Sequence, residues 1–147
     1  MKPVFNYDNY RAFKCCEKIA SQRNERKSNI EYYVNENQRT IVAVLRHSQY
    51  DVIKALDNMG LLFIYEKDFN IDKCMLSDRY VGKAICHIDD EWDESIGKEI
   101  AKNKALSKYY EDRVKIYNYL CKKFEKVYNE LCARAQHSEI RLNKFVN

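Results

Sequence analysis

The sequence predicts an α+β fold, in which a small antiparallel sheet packs with helices and a long helix follows at the C-terminal end. Three observations support this prediction. Stretches rich in β-branched and aromatic residues gather in the middle of the chain, between residues 30 and 86. Apolar residues at helical spacing lie on both sides of that region. The 147 residues include only three glycines and one proline, too few for the tight turns of a sandwich or barrel.

Residues 8–26 predict the first helix. Asp8 is the expected N-cap, because its side chain can accept a hydrogen bond from the first turn. The buried face is expected to consist of four residues at helical spacing, namely Phe13, Cys16, Ile19 and Ala20.

Two β-rich stretches, 30–34 and 39–45, predict a hairpin, because the polar residues 35–38 between them suit a turn. Residues 79–86 alternate between apolar and polar side chains and predict a further strand. The run 61–65 fits either a strand or a trailing loop, and residues 66–77 are expected to be mostly loop.

A short helix is expected from Tyr50 to Met59. Ser48 and Asp51 have the spacing of a capping box, with Asp where Glu is usual. Gly60 suits the position that ends such a helix in a left-handed conformation. The expected buried residues are Val52, Ile53, Leu56 and Met59.

A long helix is predicted from about residue 94 to 136, with Asp93 as its N-cap. At 1.5 Å per residue it would span about 60 Å, more than the diameter of a domain of this size. It therefore either breaks near residues 103–108, projects from the domain or packs against another chain, and the chain is less periodic from His137 onward. Its expected apolar stripe is Ile96, Ile100, Leu106, Tyr110, Tyr117, Leu120, Phe124, Val127, Leu131 and Ala135.

These elements suggest three parts: an N-terminal helix (1–29), a sheet-plus-helix core (30–101) and a helical extension with a tail (102–147). Charge is distributed unevenly along the chain. Residues 1–31 hold 7 basic and 4 acidic residues (+3), residues 32–101 hold 8 and 13 (−5), and residues 102–147 hold 11 and 5 (+6). This basic, acidic, basic order of the segments affects which molecules the protein can bind more than it affects the fold.

No apolar run exceeds five residues and no signal-peptide pattern opens the sequence, so we expect no membrane span and a cytoplasmic location in a host cell. The six cysteines, at 15, 16, 74, 86, 121 and 132, are then expected to be reduced thiols.

The most distinctive local feature is an acidic loop at residues 87–94, where five carboxylates lie around the only tryptophan, Trp92. We interpret these five as candidate partner-binding residues: Asp89, Asp90, Glu91, Asp93 and Glu94. A divalent-cation site is an alternative, although the spacing is not that of an EF-hand. The purely structural interpretation is a helix N-terminus that carries the anions its dipole favours, with Trp92 in the core.

The sequence gives little support for a zinc site, for nucleophilic catalysis or for a phosphate-binding loop. A zinc site is conceivable from Cys74, Cys86 and His87 with one more ligand, but no CxxC or HxxxH pair specifies it. No nucleophile elbow and no glycine-rich phosphate loop are present. The sequence therefore predicts no catalytic residue, no metal and no cofactor.

Basic residues interleave with tyrosines along the long helix. A phosphate-binding face with tyrosines that stack on bases is one interpretation, and a solvated helix surface is the other. The candidate nucleic-acid-binding residues are Lys108, Arg113, Lys115, Lys122, Lys123 and Lys126.

The stretch from Val81 to Ala105 resembles small proteins of unknown function that phages and mobile elements of low-GC Gram-positive bacteria carry. In that pattern a Cys-His-Pro-Asp-Asp-like strand end precedes an aromatic-Asp pair and an alanine-rich helix, and Ile88 stands here where proline is usual. The matching positions are Gly82, Ala84, Cys86, His87, Asp89, Asp90, Trp92, Asp93, Gly97, Ile100 and Ala101. The resemblance implies a core similar to double-stranded-RNA-binding domains and a phage origin, with no catalytic residue to carry over.

Three functional hypotheses follow. The first is a non-enzymatic, phage-derived accessory protein that inhibits host defence, most concretely a CRISPR effector, by binding a host protein or nucleoprotein. In that hypothesis the acidic loop mimics nucleic-acid phosphates. The second is direct nucleic-acid binding by the basic helix, and the third is a structural or oligomeric role of the long helix.

Overall fold

The computed structural model describes residues 4–22, 29–62 and 70–146. The elements, in chain order, are α1 (Tyr7–Gln22), β1 (Ile30–Asn35), β2 (Thr40–Arg46), α2 (Asp51–Asn58), a 3₁₀ turn (Ile71–Cys74), β3 (Arg79–Ile85) and α3 (Glu94–Val146). The three strands form one antiparallel sheet in the order β1-β2-β3. The predicted α+β class with a long C-terminal helix is thereby confirmed.

The first part of α3 packs on one face of the sheet, and two glycines permit the close approach. A side-chain carbon at Gly82 of β3 would lie 2.6 Å from the Ala105 nitrogen and closer still to the Ala101 carbonyl oxygen. One at Gly97 of α3 would lie 2.5 Å from Cδ1 of Ile41. Small residues on both elements therefore fix where the helix crosses the sheet.

Two lysines of α3 contact the outer edge of β3. Lys108 Nζ donates to the carbonyl oxygen of Val81 at 2.7 Å, and Lys104 Nζ to that of Lys83 at 2.9 Å. Both carbonyls point away from β2, because the alternate residues Gly82 and Ala84 make the hydrogen bonds of that antiparallel pair.

The main core lies where α1, α2 and α3 meet one end of the sheet, and three tyrosines tie these elements together. Each is buried and donates its hydroxyl to an aspartate of another element. The pairs are Tyr10 to Asp57 at 2.9 Å, Tyr80 to Asp112 at 2.9 Å and Tyr109 to Asp51 at 2.6 Å. Burial, reinforced by the aspartate, raises the pKa of Tyr10 and Tyr109 above the ordinary tyrosine value.

Helix α1 differs from the prediction at its start and on its face. Asn6, not Asp8, is the N-cap, because its Oδ1 accepts from the backbone N–H groups of Asp8 (2.9 Å) and Asn9 (3.2 Å). Buried Tyr10 makes the contact with the core, and Cys16 is exposed because it lies about 120° around the helix from Tyr10. The side chains of Ile19 and Ala20 lie outside the described part.

Helix α2 lacks the predicted capping box. Ser48 Oγ accepts from the N–H of Tyr50 at 3.1 Å, while the Asp51 carboxylate is occupied by Tyr109. Met59 is exposed rather than buried, since it is the C-cap residue after the apolar face ends. The prediction for Gly60 is confirmed: its φ is +70° and its N–H donates to the Asp57 carbonyl oxygen at 2.9 Å.

Helix α3 runs without a break from residue 94 to 146, which excludes the alternative of an interruption near 103–108. The predicted end near 136 is wrong. The suggested boundary between residues 101 and 102 lies inside it, and the three-part division stays a prediction. The buried row is also shifted: Tyr109 is 3% exposed and Tyr110 is 53% exposed. The residues of α3 that are buried are Ala101, Ala105, Tyr109, Ile116 and Leu120.

None of the helices within the described ranges combines the length and the apolar character that a bilayer crossing demands. Residues 63–69, which include most of the ambiguous run after α2, lie outside those ranges.

Candidate partner-binding site

The acidic loop joins the end of β3 to the start of α3, and Arg39 fixes its backbone to the sheet. Arg39 lies in the hairpin turn with a φ of 53°. Its Nη2 donates to Sγ of Cys86 at 3.1 Å, to the carbonyl oxygen of His87 at 3.2 Å and to that of Asp90. In return, the N–H of Cys86 donates to the Arg39 carbonyl oxygen at 2.9 Å. A basic side chain thus holds the main chain of the loop.

All five predicted carboxylate residues of the loop are exposed. Asp93 is the N-cap of α3, as predicted, because its Oδ1 accepts from the N–H of Ile96 at 3.1 Å. Glu94 lies in the first turn, 2.9 Å from Nζ of Lys98. These two acids therefore stabilise the start of the helix. Asp89, Asp90 and Glu91 precede it and are the better candidates for contact with another molecule.

A groove of about 280 Å³ lies beside the loop. Its inner part is lined by buried Ile41 and Ala84 and by half-buried Trp92. Its outer part is lined by Ile96 and Ile100 of α3, which are 59% and 44% exposed. Its lining also includes three carboxylate residues, namely Asp90, Glu91 and Asp93.

This combination of an exposed apolar lining and an acidic rim has a defined chemical preference. The apolar part favours a hydrophobic side chain, since burial of apolar surface is favourable by about 25 cal/mol per Å². The carboxylates favour a positive charge next to it and attract such a partner over a distance of about 10 Å at ordinary ionic strength. The site therefore suits a segment in which apolar and basic side chains are neighbours.

The structure does not assemble the residues considered for zinc. Within the described ranges, no three His, Cys, Asp or Glu side chains converge on a point that could hold a metal ion. Cys74 is buried in the core, where burial raises the pKa of its thiol to about 12. His87 Nδ1 accepts from the N–H of Asp89 at 3.3 Å and so faces its own loop.

The six basic residues predicted to contact nucleic acid separate into two groups. Lys108, Arg113 and Lys123 make internal contacts: Lys108 with β3, Arg113 with the rings of Tyr109, Tyr110 and Tyr117, and Lys123 with the ring of Tyr119. The second group, Lys115, Lys122 and Lys126, falls within about 40° of one line along α3, at 100° per residue.

Comparison with protein-family models, with curated proteins and with solved structures finds no match to this chain. The likeness to phage-encoded proteins and to double-stranded-RNA-binding domains therefore stays a prediction.

The acidic loop can be recognised in the sequence, whereas the groove beside it and the anchoring residue Arg39 cannot. Arg39 is an ordinary turn residue in the sequence, and only the pairing of β2 with β3 brings it next to Cys86. The apolar stripe predicted for α3 includes Ile96 and Ile100, but both are exposed. The available signal was Gly97 between them, because a glycine inside a helix often marks a close approach to another element.

Proposed function

We propose that this chain is a non-enzymatic accessory protein that acts by binding a host protein or nucleoprotein through the acidic loop and the adjoining groove. The observation that carries the proposal is the exposed apolar groove with carboxylates along its rim. Exposed apolar surface rimmed by charge is typical of interaction sites. The Arg39 contacts support the same proposal, because a loop whose backbone is already fixed loses little conformational entropy on binding.

The most specific form of the proposal is a phage-derived inhibitor of host defence that occupies the nucleic-acid channel of a CRISPR effector. The acidic loop would stand in for phosphates, and the apolar groove would contact the protein beside the channel. This form rests on the resemblance described above and on the five exposed carboxylates.

Reversal of three loop charges tests the proposal. In the variant Asp89→Lys, Asp90→Lys, Glu91→Lys we expect affinity for the partner to fall at least about tenfold, since like charges then oppose the basic partner. The N-cap Asp93 is left in place so that the fold is retained. The measurement is affinity purification from nuclease-treated host lysate, followed by inhibition of nucleic-acid cleavage by the purified effector.

The matched control reverses three exposed glutamates elsewhere, in the variant Glu36→Lys, Glu111→Lys, Glu130→Lys, which changes the net charge by the same amount. We expect this control to bind like the unmodified chain. Equal binding by both variants, or capture that disappears on nuclease treatment, would contradict the loop as the binding site. Emission from Trp92, the only tryptophan, reports occupation of the groove directly.

A second candidate function is direct nucleic-acid binding by the row of Lys115, Lys122 and Lys126. If this row contacts phosphates, the logarithm of the binding constant falls linearly with the logarithm of the salt concentration. Replacing all three lysines with Gln should then make this slope shallower by about 2 to 3. An electrophoretic mobility assay at several salt concentrations measures both effects. An unchanged slope, or the same loss after Lys83, Lys98 and Lys102 are replaced with Gln, would reject this candidate.

A further inference from the structure

Helix α3 carries a second row of mostly apolar side chains beside the row that packs in the core, and Tyr117 and Phe124 of this second row also touch the core. Its members are spaced alternately by four and three residues, which is the a/d pattern of a heptad repeat. We call this row the seam. It consists of Tyr110, Val114, Tyr117, Cys121, Phe124, Tyr128, Leu131, Ala135, Ser138, Leu142 and Phe145.

Apart from Phe124, which is half-buried and packs against the core, the distal part of the seam is exposed over nearly four heptads. The core-facing row ends at Leu120, and no residue from 121 to 146 is buried. Leu131, Leu142 and Phe145 are 56%, 59% and 83% exposed. Helices gain most of their stability from packing of an apolar face. A regular apolar row of this length on a helix of 53 residues therefore calls for a partner.

The charges beside the seam identify that partner and its direction. Heptad position e directly follows position d, and it is acidic at Glu125 and Glu139. Heptad position g directly precedes position a, and it is basic at Arg134 and Arg141. In a parallel pair, position g of one helix lies beside the position e that is five residues further along the other helix. Arg134 of one copy therefore lies beside Glu139 of the other. In an antiparallel pair, arginine would lie beside arginine and glutamate beside glutamate.

We propose that residues 121–146 of α3 form a parallel, two-stranded coiled coil with a second copy of this chain. The exposed seam residues pack against their equivalents, and the Arg134 to Glu139 contact occurs twice, once on each side of the interface. The proposal does not depend on the function of the acidic loop, which lies at the other end of α3.

Two substitutions on the distal helix provide a matched test. Leu142 lies on the seam and Ile140 lies about 160° away around the helix, yet their exposures are 59% and 58%. Light scattering should give twice the 17.6 kDa mass for the unmodified chain. We expect Leu142→Asp to weaken the dimer at least about tenfold and Ile140→Asp to leave it unchanged. A monomeric unmodified chain, or equal effects of the two substitutions, would overturn the proposal.

Cys121 reports the direction of the two helices. It is exposed and lies on the seam, so in a parallel pair it faces Cys121 of the second copy. In the variant Cys15→Ser, Cys16→Ser, Cys132→Ser, a short bis-maleimide should cross-link two chains through Cys121. The further change Cys121→Ser should abolish that product. A dimer by light scattering that yields no cross-link at Cys121 would overturn the parallel arrangement.

Discussion

Gly82 and Gly60 show how the same residue type meets two different physical demands. Gly82 has an ordinary strand backbone, and its lack of a side chain leaves room for the main chain of α3. Gly60 has open space around it, and only its left-handed φ of +70° requires glycine. The first demand is steric and involves two elements, whereas the second is local to the end of α2.

Substitution with alanine separates these demands. We expect Gly82→Ala to lower the free energy of unfolding by about 3 kcal/mol, because the added carbon overlaps the backbone of Ala101 and Ala105. Gly60→Ala should cost about 1 kcal/mol, the price of a left-handed non-glycine residue. Urea unfolding monitored by circular dichroism measures both. A cost for Gly82→Ala no greater than that for Gly60→Ala would contradict the close crossing of α3 over β3.

Among the elements, α1 is held to α2 by polar contacts around Asp57 in addition to the core packing of Tyr10. Lys14 Nζ lies 2.5 Å from Oδ2 of Asp57, and the Tyr10 hydroxyl donates to the same oxygen at 2.9 Å. The hydrogen bond from Lys14 holds the pKa of Asp57 below the ordinary aspartate value, assisted by that from Tyr10 and opposed by burial. Lys54 of α2 contacts Glu17 of α1 in a second ion pair.

The lowered pKa of Asp57 makes this attachment sensitive to acid. A carboxyl whose pKa is depressed by folding contributes stability that is fully present above its unfolded pKa of about 4 and is lost as the pH falls through its lower folded pKa. We therefore expect Asp57→Asn to cost about 1 kcal/mol at pH 7 and clearly less near pH 3, where part of the contribution of the carboxylate has been lost. Urea unfolding of both chains at the two pH values measures this difference.

Glu36→Gln, in the exposed hairpin turn, serves as the control and should have no effect at either pH. A cost of Asp57→Asn that stays the same from pH 7 to pH 3 would show that the Asp57 carboxylate charge does not contribute to the attachment of α1.

The hairpin and β3 could be predicted from the sequence because their patterns are local: β-branched residues, alternation and a polar turn. The buried face of α3 could not. Apolar size favoured Ile96, Ile100 and Tyr110, but the closest contact uses Ala101 and Ala105, since only small residues fit against Gly82. Steric fit between distant elements, rather than hydrophobicity, decided which side of the helix is buried.

Across the whole molecule, α3 presents three faces with different roles. The core row ending at Leu120, the seam and the row of Lys115, Lys122 and Lys126 follow one another around the helix, and the lysine row lies opposite the seam. The acidic loop could be predicted from composition, because five acids lie together in the sequence. The groove beside it could not, because three elements must meet to form it.

The contacts of Lys104 and Lys108 with the β3 carbonyls have a consequence for how the protein behaves when it is concentrated. The outermost strand of an open sheet is a template onto which another chain can add, and such addition leads to aggregates. Here two ammonium groups occupy the carbonyls that an added strand would need, and their charge repels the lysine of an identical incoming edge. The helix that follows the acidic loop thus also protects the sheet from uncontrolled growth at β3.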